Sequence, residues 1–164
     1  MKSFGRLLAV SCVAGAVAVG CITGAWASGA ADTPADVPTS TVEDYSYPGA
    51  DKIYAEQGIR LKRGDGNIML AKCGSEPNLI EVSAREMNNQ SVCFRVQGKS
   101  GYLSLEMPMV GGIRGNNYSN IQVDMTVDGK QVTFPVKQNS WTAVGENADP
   151  QRRDHTLIEI RAAK

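Results

Sequence analysis

The pair Asp128-Gly129 restricts this chain more than any other feature of its sequence. A two-residue type I′ turn needs φ > 0 at both central residues, and Asp-Gly is one of the few pairs that accept it. With the turn placed there, Val127 pairs with Lys130, Met125 with Val132, Val123 with Phe134 and Ile121 with Val136. The apolar side chains then share one face. Gln122, Asp124, Thr126, Gln131, Thr133 and Pro135 take the other. A slip of one residue would turn the whole apolar set the wrong way, so the register is strongly specified. Ile121 to Val136 reads as half of a sheet with one buried face.

The same alternation recurs along the chain. Ile59 and Leu61 precede the Gly64-Asp65-Gly66 turn, and Ile68 and Leu70 follow it. A two-residue loop at Asp65-Gly66 sets Leu61 opposite Leu70. Arg63-Gly64-Asp65 spells an adhesion triplet, but these residues serve a turn for their own reasons. Leu79 to Ala84 is a strand with Ile80, Val82 and Ala84 on one face. A second hairpin is expected around Gly98-Lys99-Ser100-Gly101, with Val96 facing Leu103, Phe94 facing Leu105 and Val92 facing Met107. Met109 to Ile113, Trp141 to Gly145 and Thr156 to Ala162 read as further short strands, the last with Ile158 and Ile160 inward. Asp51 to Gln57 is given one helical turn at most. About eight to ten short strands with closely spaced turn signals predict an all-β fold, a single antiparallel β-sandwich or barrel-like domain. The immunoglobulin signature is absent, because no Trp lies between the two cysteines of the domain.

The N-terminus sets the expected compartment. Lys2 and Arg6 precede an uncharged, apolar, small-residue run, and Ala25-Trp26-Ala27 offers a signal-peptidase site, so residues 1–27 are expected to be a secretory signal peptide. The run is too rich in Gly, Ala and Ser for a membrane span. A lipid anchor at Cys21, in a loose lipobox-like context, is the alternative to free secretion. Residues 28–47, with Pro, Thr, Ser and acids but no apolar periodicity, are expected to be a disordered linker. The folded domain is expected to run from 48 to 164. Cys73 and Cys93 are then the cysteines left, and in an exported chain they read as one disulfide.

The sequence has 17 acidic and 17 basic residues, and Lys2 and Arg6 leave with the signal peptide. The mature chain is therefore slightly acidic, which offers no footprint for nucleic acid. The one histidine, His155, has no nucleophile elbow or metal-ligand spacing to work with. No cofactor, metal or enzymatic activity is expected. Tyr102, Tyr118 and Trp141 are aromatics the core does not need, and Arg114, Asn116, Asn117 and Asn120 crowd the loop around Tyr118. Flat apolar rings with amide donors and acceptors are what a sugar or peptide site uses. The sharpest expectation puts Tyr118 as a stacking platform, with Gly111, Gly112 and Gly115 letting the backbone come close to a ligand.

Arg63-Gly64-Asp65-Gly66 through Cys73, then Val92-Cys93-Phe94, Gly101-Tyr102-Leu103 and Pro108 to Gly115, resemble a group of small secreted proteins of high-GC Gram-positive (actinobacterial) bacteria. That group shares a G-D-G turn, two cysteines at similar spacing and a G-Y-L strand before a proline. The resemblance implies export and fold, and it brings no activity. The expected function is an extracellular binding module for a polysaccharide or a protein. The alternative is a secreted protease inhibitor presenting Glu106-Met107-Pro108-Met109-Val110.

Overall fold

The computed structural model describes residues 45–87 and 90–164. The expected signal peptide, Cys21 and all of the expected linker before Tyr45 lie outside them. A helix, α1 (Ala50–Gln57), precedes ten strands. These are β1 (Arg60–Gly64), β2 (Ile68–Ala71), β3 (Ile80–Ala84), β4 (Ser91–Val96), β5 (Ser100–Pro108), β6 (Val110–Arg114), β7 (Asn120–Val127), β8 (Lys130–Val136), β9 (Trp141–Ala143) and β10 (Thr156–Ala163). Short 3₁₀ turns occupy Arg85–Met87 and Gly145–Asn147. The fold is an antiparallel β-sandwich. One sheet has the order β1-β5-β10-β7-β8 and the other β2-β4-β3-β6-β9. Phe94, Ile80 and Ile113 from the second sheet meet Leu103, Val123, Met125 and Ile160 from the first in one buried cluster.

The Asp-Gly hairpin forms with the register its turn dictates. Asp128 and Gly129 take φ of 49° and 73°, and every pair from Val127–Lys130 to Ile121–Val136 is observed. Pairs flanking such a turn exchange both hydrogen bonds, so the backbone groups of Gln131, Thr133 and Pro135 point away from β7. Pro135 therefore lacks its N–H on the open edge of the sheet, where the loss costs no ladder bond. The two faces are less distinct than alternation implies. Val132 is 36% exposed and Phe134 only half-buried, whereas outward-facing Asp124 is 2% exposed. Thr133 Oγ1 donates to Asp124 Oδ1 at 2.5 Å, and Arg161 Nη2 lies 2.7 Å from Asp124 Oδ2.

The other two expected hairpins are not hairpins. Leu61 pairs with Leu105 in the first sheet and Leu70 with Phe94 in the second. β4 likewise pairs with β2 and β3, and β5 with β1 and β10. The turns at residues 65–67 and 97–99 carry the chain from one layer to the other. At the first, Gly66 takes positive φ but Asp65 does not, so no type I′ turn forms. Asp65 Oδ1 instead accepts from the Asn67 N–H at 2.9 Å.

Two smaller expectations also change. Ala50–Gln57 makes an eight-residue helix in place of a single turn, ended by Gly58 in the left-handed region. In β10 a bulge between Leu157 and Glu159 inserts one residue, so Leu157 and Ile160 are buried and Ile158 is half-buried. The Cys73–Cys93 disulfide is present, with Cα atoms 5.2 Å apart. Cys93 lies in register with Ala71 and Glu81 on the side of the second sheet turned away from the core, as its outward position in the strand predicts.

Candidate functional site

The structure divides the sequence-selected residues among separate places. Asn116 and Tyr118 turn inward. Tyr118 is 3% exposed, its hydroxyl donates to the Gly98 carbonyl at 2.7 Å, and its N–H donates to Asn116 Oδ1 at 3.0 Å. Lys164 Nζ sits 5.1 Å from the ring centroid. Tyr118 is thus no stacking platform. Loop composition suggested an open ring, but burial and a hydrogen bond to the turn between β4 and β5 commit it to the fold. Asn117 remains exposed, and its carbonyl accepts from Gln138 Nε2 at 2.7 Å.

Tyr102 and Asn120 lie on the outer face of the first sheet. With Gln122 and Arg161 they border a shallow cleft of about 320 Å³. Arg161 is engaged there by Asp124 and Glu159.

Arg114 and Trp141 come together on the outer face of the second sheet. β3, β6 and β9 align Glu81, Arg114 and Trp141 in one row across the strands, and Ser83, Gly112 and Ala143 in the next. Neighbouring strands are about 4.8 Å apart, so each row is a nearly level step of side chains. The Trp141 indole leans over Gly112. A Cβ there would stand 3.5 Å from the ring, which is ordinary contact. The indole rests on backbone and leaves 50% of its surface open.

Beside the ring, Ser83, Arg85, Glu146 and Asn147 line a cleft of about 410 Å³. Each is held by a distinct device. Ser83 belongs to β3 at the centre of its sheet. The Arg85 guanidinium bridges Glu146 at 2.8 Å and Asp154 at 2.7 Å, and the backbone N–H of Arg85 donates to the Met109 carbonyl at 2.9 Å. Asn147 Nδ2 donates to the Gly111 carbonyl at 2.9 Å. Arg114 Nη1 lies 2.7 Å from Glu81 Oε1. The glycines expected to admit a ligand are covered by the protein itself. The Trp141 ring stands over Gly112, the Asn147 amide lies against Gly111, and the Lys137 carbonyl abuts Gly115.

Among the described residues no group of three or more His, Cys, Asp and Glu side chains is placed to hold a metal ion, and no helix is long and apolar enough to cross a membrane. The buried His155 has Nδ1 2.8 Å from the Arg153 carbonyl and its ring edge-on to Phe134. What the Trp141 face offers chemically is a flat apolar surface beside fixed donors and acceptors.

Sequence reasoning selected Trp141 and Arg114 but missed Ser83, Arg85, Glu146 and Asn147, which reach the ring only through strand pairing and the turn after β9. Gly111-Gly112 was the available signal, since glycine inside a strand marks a close approach to the backbone. No protein-family model matches the chain, and no curated protein matches it.

Proposed function

We propose that this chain is an exported, non-enzymatic binding module whose ligand is an extracellular polysaccharide or protein, bound at the Trp141 face. The half-open indole carries the reading. Burying a whole aromatic side chain removes about 150–250 Å² from water. At about 25 cal/mol per Å², the open half of Trp141 leaves roughly 2–3 kcal/mol for a flat ligand to gain by stacking. The ring sits on a paired strand, so little ordering is needed on binding. Ser83 and Asn147 stand beside it to fix orientation.

Export is supported by the N-terminal pattern and by the Cys73–Cys93 bond, which persists in oxidising compartments. The one histidine, His155, is buried against Phe134, which withdraws it from acid–base chemistry at this face. The inhibitor alternative draws no support from its segment. Met107 and Val110 are buried, and Pro108 pairs with Thr156 inside the first sheet, so no loop projects there.

Pull-down of the chain by insoluble polysaccharides and by extracellular protein fractions tests the reading. Trp141→Ala is expected to weaken retention by about tenfold or more, equivalent to about 1.4 kcal/mol, with an unchanged melting temperature. Undiminished retention by that variant would remove this face as the site.

A further inference from the structure

We infer that the Trp141 face takes a neutral polysaccharide and rejects acidic ones; the inference rests on that face being the binding site. The argument is one of charge. Of the residues lining the cleft, Arg85 alone is a cation, and two carboxylates already hold its guanidinium, Glu146 at 2.8 Å and Asp154 at 2.7 Å. The next cation along the face, Arg114, is held by Glu81 at 2.7 Å. Each of these two guanidinium groups is thus matched by at least one carboxylate. A uronate or sulfate would have to displace one of these partners, leaving a carboxylate beside the incoming anion. Recognition of anions instead calls for donors free to fork onto the ligand.

The uncommitted groups suit hydroxyls. Ser83 Oγ, Asn147 Oδ1 and the Trp141 indole N–H have no hydrogen-bond partner among the described residues. They supply a hydroxyl, an acceptor and a donor around a ring that stacks on a C–H face. A neutral pyranose chain presents both an apolar face and hydroxyl edges. It asks for no unpaired charge.

The test uses the full chain, with cellulose and chitin as neutral probes and polygalacturonate and alginate as acidic ones, each at about 50 mM and about 500 mM salt, a range over which exposed charges become largely screened. Retention by a neutral polymer is expected to change less than about twofold between the two salts and to be lost in Trp141→Ala. The acidic polymers are expected to retain nothing at low salt. Glu81→Gln, which releases Arg114 from its carboxylate, is expected to introduce retention by acidic polymers that falls about tenfold at high salt. Salt-sensitive retention of the unmodified chain by an acidic polymer, abolished in Trp141→Ala, would overturn neutrality while keeping the site. Retention by no polysaccharide, with capture of an extracellular protein that depends on Trp141, would overturn the polysaccharide class. No Trp141-dependent binding of any kind would remove the site itself.

Discussion

Tyr47 Oη accepts a 2.6 Å hydrogen bond from the Leu70 N–H, while the Tyr47 N–H donates to the Lys62 carbonyl at 2.9 Å. One residue thereby ties β1, an edge of the first sheet, to β2, the edge of the second. Tyr47→Phe keeps the ring but leaves the Leu70 N–H without its acceptor, at an expected cost of about 1–3 kcal/mol in urea unfolding. Burial pushes the Tyr47 phenol above its ordinary value, partly opposed by the Leu70 N–H. A raised phenol pKa favours the neutral form in the folded chain. Its contribution is complete below the unfolded value of about 10 and is lost as pH rises through the folded one. Alkaline unfolding should therefore shift in Tyr47→Phe, and an unchanged alkaline limb would exclude the phenol as its source.

The hairpin faces predict a graded series. Met125 is fully buried, and Met125→Ala should cost about 2–5 kcal/mol. Phe134 is half-buried, so Phe134→Ala should cost less, about 1–3 kcal/mol. Alternation alone would give Thr133→Ala a cost within about ±0.5 kcal/mol as a surface change. Its hydroxyl bond to the buried Asp124 carboxylate raises that to about 1.5–3 kcal/mol. Chemical denaturation of the three variants ranks them directly.

Asp149 organises the loop before β10. The Arg153 guanidinium, at 2.7 Å, and the backbone N–H groups of Gln151 and Arg153 hold its carboxyl well below the usual carboxylate range. A depressed pKa means the contribution is present above the unfolded value, about 3.9, and is lost as pH falls through the folded one. Asp149→Asn should flatten the stability profile below about pH 4. A titration of melting temperature that remains as steep in the variant would assign the acid limb to other carboxylates.

The disulfide spans a sequence separation of 20 residues. Replacing both cysteines with Ser should lower stability by about 3 kcal/mol in the chain-entropy treatment. Denatured, unreduced chain should leave Cys73 and Cys93 unlabelled by a thiol reagent.

What could be read in advance follows from what each local signal encodes. Asp128-Gly129 demands a particular backbone geometry, so one dipeptide set a strand pair and its register. Alternation at Val92–Val96 and Leu103–Met107 set which side chains face the core but not which strands pair. Two strands joined by a short turn can pair edge to edge or face each other across a core, and inward residues alternate in both arrangements. Tyr118 shows the matching limit for the site. Asn, Gly and Ser around an aromatic describe a loop, and only the approach of Gly98 and Lys164 reveals that the ring is enclosed. Arg114 and Trp141 were selected separately and proved to be paired neighbours. Of their companions around the cleft, Ser83 and Arg85 come from a distant segment, and Glu146 and Asn147 reach it through the turn after β9; Gly111-Gly112 was the one local signal.

The position of β10 governs the order in which the molecule can assemble. Thr156–Ala163 lies between β5 and β7 near the middle of the first sheet, yet it is made after both. Until those residues emerge, β5 and β7 each lack a neighbour on one flank, and β1–β5 and β7–β8 remain separate ribbons. The sheet is then completed by inserting a strand between two waiting edges, with long loops to close, which slows folding. A chain released before residue 156 is synthesised would keep its Asp-Gly hairpin but could not join it to the rest of its sheet.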